Sequence, residues 1–349
     1  MKKKIFIYST IFLIVVSLFT YIAICGTQPK SAPTEETMTP VSEASLVYVS
    51  IGDSIAEGYA LSTYDSKDIG GFVPGSYAYT VKYYLKSKTD KLSAINYATA
   101  GLTSTNLLSM LTSIEGEDLS NEDQQRKNYI ENANIITICI GANDILGPAQ
   151  SHLSDFALSG QDITPYLDEG LQTLSTNFPL LVAKLQTINP TAKLVFSNVY
   201  NPYKEFISSS QNVTLSVPGI YNHNLTSAQL NTFGNIAESY IDSGNLYDTE
   251  GNVYKTVENG INQIIENTIK DQDNCYLLDV KDSFDQYYAT NQKYDVIQTT
   301  FLSKSIITLP LISMQETLLN YLDPHPTELG HQQIATLLTS LANQLINVE

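Results

Sequence analysis

The sequence of 349 residues has little cysteine and little histidine, and these shortages exclude several kinds of protein. It contains three cysteines, of which Cys139 and Cys275 lie in apolar stretches that resemble strands. We interpret both as buried free thiols, because two cysteines do not make the disulfide framework of a small secreted domain. The four histidines show none of the Cys and His spacings typical of zinc sites. We therefore expect no catalytic metal and no cofactor.

Basic residues are also scarce, with 19 lysines and arginines against 36 aspartates and glutamates, which gives a net charge of −17 at pH 7. A surface of this sign repels nucleic acid and anionic lipid, so we exclude a nucleic-acid partner. We interpret the acidic excess as a contribution to solubility. With 43% hydrophobic and 16% charged residues, the composition is typical of a globular protein with a substantial core.

The longest hydrophobic run comes at the start of the chain, where Lys2, Lys3 and Lys4 precede an apolar stretch from Ile5 to Cys25. As a helix rising about 1.5 Å per residue, this stretch would span roughly 30 Å, the thickness of a bilayer core. Positive charge before an apolar run keeps that end in the cytoplasm and directs the remainder outward. Residues 1–26 are therefore predicted to be a signal or anchor segment that carries the protein to the cell surface of a bacterium.

Three fates of this segment remain open. Cys25 is a candidate for the lipidated cysteine of a bacterial lipoprotein, but the bulky Ile24 precedes it where such sites have a small residue. An uncleaved membrane anchor and a lipid anchor are the two leading interpretations, and a secreted protein is the third. Residues 27–45 are rich in Pro, Thr, Ser and Glu and are predicted to form a flexible linker.

From residue 46 onwards the sequence alternates short apolar runs with longer amphipathic stretches, which predicts strands separated by helices. Strands are expected at Leu46–Ile51, Ser93–Tyr97, Asn134–Ile140, Ala192–Asn198 and Cys275–Val280, and helices at Ser76–Lys86, Leu171–Thr187 and Thr327–Asn347. This alternation is typical of an α/β fold, in which helices cover both faces of a parallel sheet. Because no internal repeat is present, we predict one domain over residues 46–349, with insertions at 145–180 and 201–270 on the edge that carries the functional loops.

The segment Gly52-Asp53-Ser54-Ile55 follows the first predicted strand, where the chain turns towards a helix. The carboxyl end of a strand in a parallel sheet lies at the functional edge, so Ser54 is a candidate nucleophile. Backbone N–H groups at such a turn can face a developing negative charge. Taken alone, Ser54 is better explained as a helix cap, because Ser and Asp are common at helix starts.

A base for this serine occurs near the end of the chain, in the segment Asp323-Pro324-His325-Pro326. A serine hydroxyl is a weak nucleophile until a base removes its proton, and imidazole titrates in the required range. Asp323 is the candidate to accept a hydrogen bond from the other ring nitrogen of His325. We expect this segment to be a loop, held against the edge of the sheet by the helix that starts near Thr327. His331, within that helix, is interpreted as a surface or packing residue.

Two further segments supply candidate donors for an oxyanion. Asn143, in Gly141-Ala142-Asn143-Asp144, follows the third predicted strand, and its side-chain amide donates without a change of charge. Gly101 follows the second predicted strand and offers its backbone N–H, although a glycine in a turn is usually only a turn. Asp144 is interpreted as a structural cap rather than a second catalytic acid.

Four of these residues occur in the order of the motif that names the SGNH hydrolases, also called the GDSL esterase and lipase family: Ser54, Gly101, Asn143 and His325. The resemblance implies a three-layer α/β/α fold of the flavodoxin-like kind, with a five-stranded parallel sheet in the order 2-1-3-4-5. It also implies a triad of Ser54, His325 and Asp323. The implied oxyanion hole consists of the backbone amides of Ser54 and Gly101 and the side chain of Asn143.

The sequence departs from the family pattern at two positions. Ile55 stands where the family usually has leucine, a change of apolar shape that is expected to matter little. Asp323 stands two residues before His325, whereas the family acid usually stands three residues before its histidine. Either Pro324 tightens the loop so that Asp323 still reaches the ring, or another group supplies the acid.

By this resemblance the protein is a serine hydrolase that cleaves acyl esters through an acyl-enzyme. Lipid or small acyl esters, including lysophospholipid, are the leading substrate class, and removal of O-acetyl groups from cell-wall or surface carbohydrate is the alternative. A non-catalytic surface binding module on the same fold is a further alternative of a different class. We expect a monomer that meets the membrane through its N-terminal segment. Six aromatic residues of the predicted insertions either line a substrate groove or pack the insertions together: Tyr203, Phe206, Tyr221, Phe233, Tyr240 and Tyr247.

Overall fold

The computed structural model describes residues 37–150, 152, 160–202, 213–217, 221–225, 227–291, 295–302 and 319–346. The predicted signal or anchor segment, residues 1–26, and the first part of the predicted linker, residues 27–36, lie outside these ranges. Within the ranges, none of the helices combines the length and the hydropathy that a membrane crossing requires.

The described strands and helices alternate along much of the chain, as the sequence predicted. The strands are β1 (Leu46–Gly52), β2 (Leu92–Asn96), β3 (Ile135–Cys139), β4 (Lys193–Ser197), β5 (Val213–Val217), β6 (Tyr221–Leu225), β7 (Gly244–Tyr247), β8 (Val253–Val257), β9 (Cys275–Leu278), β10 (Ile297–Leu302) and β11 (Leu319–Pro326). The helices are α1 (Ser54–Glu57), α2 (Tyr77–Lys86), α3 (Ser104–Ser113), α4 (Asn121–Asn132), α5 (Ala142–Gln150), α6 (Thr164–Ile188), α7 (Ser227–Asp242), α8 (Ile261–Ile269), α9 (Val280–Tyr288) and α10 (Glu328–Leu345). Two short 3-10 helices span Val41–Glu43 and Tyr64–Ser66.

Five strands form a wholly parallel sheet in the order β2-β1-β3-β4-β9. This confirms the predicted sheet and its order, and each strand begins and ends within two residues of its predicted bounds. Every residue of β1 and β3 is buried, as expected for strands whose two faces are both covered by helices. Cys139 on β3 and Cys275 on β9 are free thiols with β4 between them, as expected. Cys139 is buried, as predicted, whereas Cys275 is only partly buried.

Helices cover both faces of this sheet and complete the predicted three-layer α/β/α fold. Helix α10 packs against α2 and α9, whereas α6 packs against α3 and α8. Helix α2 shows how the sequence produces this arrangement. The Ser76 side chain accepts the N–H of Tyr79 and so caps the helix, while Tyr77, Val81 and Leu85 recur every fourth residue and are buried.

The insertion predicted over residues 145–180 is wrong for its second half. Helix α6 begins at Thr164, seven residues before the predicted start at Leu171, because Pro165 lies in the first turn, where no N–H donor is needed. One face of α6 is part of the core of the domain, through Leu167, Leu174, Phe178, Leu181, Val182 and Leu185. Likewise α8, in the insertion predicted over 201–270, packs against α6 and belongs to a helical layer.

A second sheet, in the order β10-β11-β5-β6, has no counterpart among the predicted elements. Strand β11 includes the segment Asp323–Pro326, so the expectation of a loop there is wrong. Proline cannot donate to a strand ladder, which is why Pro324 and Pro326 indicated a loop. The pairing of β11 with β10 accommodates these prolines through a shift of register between Ile297 and Thr299.

The end of the predicted linker is in contact with the domain. Residues Val41–Glu43 form a 3-10 helix, and the compact unit of the chain begins at Met38 rather than at the predicted Leu46. Three apolar side chains of this segment pack against the core: Met38, Val41 and Ala44. For residues 27–36 the linker stays a prediction.

Candidate active site

A glycine, Gly52, is the last residue of β1 and begins the turn that carries Ser54. Gly52 has a φ of +151°, and a Cβ at this position would collide with the carbonyl oxygen of Cys139 on the adjacent strand β3. The turn then enters α1, whose first residue is Ser54. The capping role that could have explained Ser54 falls instead to Asp53, whose carboxylate accepts the N–H of Ile55 at 3.0 Å. Burial raises the pKa of the Asp53 carboxyl to about 6.

His325 is oriented by the acid that the sequence analysis selected. The Oδ1 atom of Asp323 lies 2.5 Å from Nδ1 of His325 and also accepts the backbone N–H of His325 at 3.0 Å. Both side chains are largely buried. The spacing of two residues therefore still allows the carboxylate to reach the ring, because the extended backbone of β11 turns both groups to one side. The ring of Tyr59 covers the imidazole, with centroids 5.1 Å apart.

Two polar side chains that the sequence analysis missed hold the strand segment around His325. The hydroxyl of Tyr200 donates to the carbonyl oxygen of Pro324 at 2.7 Å. The Nε2 group of Gln298 donates to the carbonyl oxygens of Pro326, at 3.1 Å, and Ala60, at 3.0 Å. Gln298 thus joins the backbone that follows His325 to the backbone that follows the serine turn. Neither residue belongs to a local motif, so only the fold reveals its role.

Of the predicted oxyanion donors, Gly101 lies in a turn and Asn143 lies at the start of helix α5. Gly101 has a φ of +79°, a backbone conformation that favours glycine, and a Cβ there would meet no atom within 4 Å. Asn143 is the second residue of α5, and its Nδ2 group donates to the carbonyl oxygen of Leu102 at 3.2 Å. This bond brings the Asn143 amide beside the Gly101 loop. Gly101, Asn143 and Ser54 all line one cavity.

Asp144 has a structural role, as predicted. Its carboxylate accepts the backbone N–H of Ser104 at 2.9 Å and the hydroxyl of Ser104 at 2.5 Å. Ser104 is the first residue of α3, so Asp144 fastens the start of α5 to the start of α3. Burial raises the pKa of this carboxyl, and the hydrogen bonds from Ser104 oppose that shift.

Glu57 is a further residue that sequence reasoning missed. It lies three residues after Ser54 on α1, and its side chain is 8% exposed. Its Oε2 atom accepts the backbone N–H of Ala100 at 2.7 Å. Its Oε1 atom accepts the hydroxyl of Tyr64 at 2.7 Å and an N–H of Lys67 at 2.6 Å. Glu57 therefore connects the nucleophile turn to the loop that carries Gly101.

These residues meet at a cavity of about 300 Å³ that is mostly apolar. One part of its lining consists of the candidate chemical groups and their neighbours: Asp53, Ser54, Ile55, Tyr59, Ala100, Gly101, Ala142, Asn143, Pro324 and His325. The other part consists of aliphatic and aromatic residues: Ile145, Leu167, Val199, Tyr200, Pro202, Phe233, Ala237, Tyr240, Ile241 and Ile261. The cavity thus extends from the candidate chemical groups into an apolar pocket.

The aromatic residues of the predicted insertions were expected either to line a substrate groove or to pack the insertions together, and they do not all behave alike. Phe233 and Tyr240 are buried and line the cavity, whereas Tyr247 is 59% exposed. Tyr203 and Phe206 lie outside the described residues, and only the backbone of Tyr221 is described.

The arrangement has the parts of a serine hydrolase site. A serine begins a short helix at the end of β1, and a histidine bonded to a carboxylate lines the same cavity. The Asn143 amide, at the start of α5, and Gly101, in a turn, line this cavity too. No group of three or more His, Cys, Asp or Glu side chains in the described part of the chain is arranged to hold a metal ion.

Comparison with protein families agrees with this class. The model of the GDSL-like lipase/acylhydrolase family matches residues 48–338, from β1 into α10. The chain belongs to the GDSL-like lipase/acylhydrolase family, and the protein is an enzyme, a serine hydrolase that acts on ester bonds. A comparison with curated protein sequences finds no significant match.

The solved structures to which this chain is similar include lipases and an acetylxylan esterase. The lipase Lip_vut3 from a goat rumen metagenome is 16% identical over 87% of this chain and 100% of its own, with a TM-score of 0.48. The extracellular lipase of Streptomyces rimosus is 16% identical over 85% of this chain and 99% of its own, with a TM-score of 0.47. A catalytic mutant of Axe2, an acetylxylan esterase of Geobacillus stearothermophilus, is 13% identical over 85% of this chain and 94% of its own, with a TM-score of 0.43.

Proposed function

We propose that this enzyme is an exported esterase that hydrolyses carboxylic esters of apolar acyl groups, with Ser54, His325 and Asp323 as its triad. The observation that carries the proposal is the apolar cavity that Ser54 and His325 line, with Asp323 bonded to the ring of His325. A substrate whose ester lies at Ser54 would leave its acyl group in contact with aliphatic and aromatic side chains. Burial of the acyl group there contributes about 25 cal/mol per Å² of apolar surface removed from water.

In the proposed mechanism His325 acts first as base and then as acid. Its Nδ1 atom is engaged by Asp323, which leaves Nε2 to remove the proton of the Ser54 hydroxyl as the oxygen attacks the ester carbonyl. The negative charge of Asp323 stabilises the imidazolium that forms. His325 then gives the proton to the departing alcohol, and a water molecule repeats the sequence to release the acid.

The tetrahedral oxyanion is assigned to three donors: the backbone N–H groups of Ser54 and Gly101 and the side-chain amide of Asn143. Two features support this assignment. Asn143 and Gly101 line the same cavity as Ser54, and the hydrogen bond from Asn143 to the carbonyl oxygen of Leu102 fixes the amide beside the Gly101 loop. Such fixed donors stabilise developing charge without reorganisation during the reaction.

The apolar lining favours a fatty acyl group over an acetyl group. An acetyl group would leave most of the cavity of about 300 Å³ without a contact, whereas a longer chain would fill it. Lipid esters, including lysophospholipids, and esters of medium-length acids are therefore the proposed substrates. We further propose that residues 1–26 direct the enzyme to the outside of the cell and anchor it there, on the basis of the Lys2–Lys4 cluster and the apolar run that follows.

The proposal is tested with p-nitrophenyl esters from acetate to palmitate, hydrolysed by the full chain in mild detergent. We expect kcat/KM to be higher for medium or long chains than for acetate. Ser54→Ala should lower kcat by about 10⁶-fold and Asp323→Asn by about 10⁴-fold. Asn143→Ala should lower kcat by about 10²-fold, because one oxyanion donor is lost.

Labelling with a fluorophosphonate provides the control for the nucleophile, because the probe reacts with an activated serine and needs no fitting substrate. Wild-type enzyme should be labelled and Ser54→Ala should not. A preference for acetate over every longer ester would replace the proposal with the carbohydrate O-acetylesterase. Turnover that survives in Ser54→Ala would remove Ser54 from the mechanism.

A further inference from the structure

Tyr240 stands between the cavity and a charged pair near the surface. It lies on α7, is 1% exposed, and its ring is part of the cavity lining. Its hydroxyl is bonded to residues that do not line the cavity: it lies 2.6 Å from Oδ1 of Asp168, to which it donates, and 3.3 Å from the backbone carbonyl oxygen of Thr164. An N–H of Lys255 donates to the same hydroxyl at 3.2 Å, and Lys255 also forms an ion pair with Asp168.

The two charged partners of this hydroxyl are in contact with solvent. The side chain of Asp168 is 44% exposed and that of Lys255 is 30% exposed. The phenol ring therefore has the apolar cavity on one side and hydrated charges on the other. Burial, followed by the hydrogen bond to Asp168, raises the pKa of Tyr240, so the hydroxyl stays protonated and remains a donor to Asp168.

We propose that Tyr240 closes the far end of the acyl cavity and so determines the longest acyl chain that the enzyme accepts. This inference rests on the proposed function, because it assigns the apolar part of the cavity to an acyl group. Tyr240 is a specificity-determining residue in this account and takes no part in proton transfer.

The chemistry of the three side chains explains why the ring is a barrier. The methyl end of an acyl chain packs well against an aromatic face. A chain that passed the ring would have to displace water from Asp168 and Lys255 without offering any hydrogen bond in return, which is unfavourable. If the ring is removed, the cavity opens towards the surface, and a long chain can leave through the gap instead of being excluded.

The test compares Tyr240→Ala, Tyr240→Leu and Tyr240→Phe across p-nitrophenyl esters from butyrate to palmitate. Tyr240→Ala should raise the ratio of kcat/KM for palmitate to that for butyrate by about tenfold or more, since a few additional buried methylene groups account for such a factor. Tyr240→Leu should change the ratio in the same direction by less. Tyr240→Phe keeps the ring and should keep the wild-type chain-length profile.

Tyr247→Ala is the matched control, because Tyr247 is an exposed tyrosine of strand β7 and does not line the cavity. Its profile should equal that of the wild type. An unchanged profile in a folded Tyr240→Ala or Tyr240→Leu variant would overturn the inference. So would an equal change in Tyr247→Ala, because the effect would then not depend on the cavity.

A measurement on the wild-type enzyme covers the case in which both smaller variants fail to fold. If Tyr240 closes the cavity, kcat/KM should fall steeply beyond the chain length that fills it, whereas equal values from octanoate to palmitate would contradict closure. The proposed function fails in a different way, through turnover that does not depend on Ser54 or through a preference for acetate. Ser54-dependent hydrolysis with a flat profile would therefore refute the role of Tyr240 alone.

Discussion

Glu57 shows at the scale of single residues how two parts of the site are kept together. Its carboxylate receives donors from Ala100, Tyr64 and Lys67, and it lies one helical turn after Ser54. A buried carboxylate with these donors holds the backbone of the Gly101 loop in one position. In the proposed mechanism, the N–H of Gly101 can donate to the oxyanion only in that position.

We expect Glu57→Ala to lower kcat by roughly tenfold to 10²-fold with little change in KM, because an oxyanion donor is displaced while the acyl cavity is unchanged. The loss of acceptors for buried donors should also reduce the free energy of unfolding by about 1–3 kcal/mol. Steady-state kinetics and urea unfolding of the same preparation measure both effects.

Glu57→Gln is the matched variant, since its amide oxygen still accepts a hydrogen bond from Ala100 or Tyr64 although the charge is lost. It should recover most of kcat. If Glu57→Gln were as slow as Glu57→Ala, the ion pair with Lys67, and not the bond to Ala100, would explain the loss. An increase of KM with unchanged kcat would indicate a role in substrate binding.

The site residues that the sequence predicted depend on neighbouring positions in the chain, whereas those that it missed depend on partners far away in the sequence. Ser54 and Asn143 follow apolar strands within a few residues, so local patterning indicated the edge of the sheet on which each would lie. The bond of Glu57 to Ala100 joins residues 43 positions apart, and that of Tyr200 to Pro324 joins residues 124 positions apart. No sequence pattern predicts contacts between residues so far apart in the chain.

At the scale of elements, the contact between α5 and α6 depends on one glycine. Gly170 on α6 is buried, and a Cβ at this position would collide with the carbonyl oxygen of Asp144 and come within 2.8 Å of the Cα of Ile145. The first turn of α5, which carries Asn143, therefore rests directly on the backbone of α6. The approach is possible only because Gly170 has no side chain.

Gly170→Ala should push the start of α5 away from α6 and displace the Asn143 amide. We expect a loss of about 1–3 kcal/mol in the free energy of unfolding, as for other overpacked sites, together with a lower kcat. Thermal or urea unfolding and ester hydrolysis measure the two effects.

Gly147→Ala on α5 is the control for the glycine-to-alanine change itself. Apart from its chain neighbours, a Cβ at Gly147 meets no atom within 4 Å. Pro148 follows directly and disfavours the helical conformation of a residue that has a Cβ. This variant should therefore lose less stability than Gly170→Ala and keep kcat unchanged. Equal behaviour of the two variants would show that the close contact at Gly170 is unimportant.

The helices and strands differ in how well the sequence predicted them. Strands of the parallel sheet were predicted closely because they are continuous apolar runs, buried on both faces. The start of α6 was missed because its first turn precedes the strongest apolar periodicity, and β11 was missed because Pro324 and Pro326 argue against a strand. In β11 the pairing with β10 and β5 outweighs this local preference.

At the scale of the whole molecule, two buried titratable groups, His331 and Asp53, affect the free energy of unfolding in acid in opposite directions. His331 is fully buried, its Nδ1 atom accepts the N–H of Tyr77 at 3.3 Å, and burial lowers its pKa to about 3. This confirms the interpretation of His331 as a packing residue. The raised pKa of Asp53, about 6, has the opposite effect on the pH dependence of unfolding.

The signs follow from which state binds the proton. His331 stays neutral in the folded protein, so its contribution to stability is present above pH 6.5 and is lost as the pH falls towards 3. Asp53 binds a proton more readily when folded, so its contribution is present below pH 3.8 and is lost as the pH rises through about 6. Between pH 4 and 6 the two contributions oppose each other.

The substitution His331→Phe should separate the two contributions to the pH dependence of unfolding. As the pH falls from 6.5 to 4, the free energy of unfolding of His331→Phe should rise relative to the wild type by about 1 kcal/mol per pH unit. A constant difference from the lost bond to Tyr77 does not change this slope. Urea unfolding at several pH values measures it, Asp53→Asn should show a slope of the opposite sign, and a flat difference for His331→Phe would mean that His331 is protonated when folded.

The sequence by itself determined the layered α/β architecture and the five strands of the parallel sheet. It also determined which candidate site residues follow the first three of these strands: Ser54, Gly101 and Asn143. It could do so because apolar runs, helical periodicity and turn residues are local properties of the chain. Only the tertiary structure decided that Asp323 reaches His325 across a spacing of two residues, that Glu57 and Gln298 join separate loops, and that Tyr240 lines the cavity. These features depend on contacts between residues far apart in sequence, and such contacts exist only once the sheet and its helices have packed.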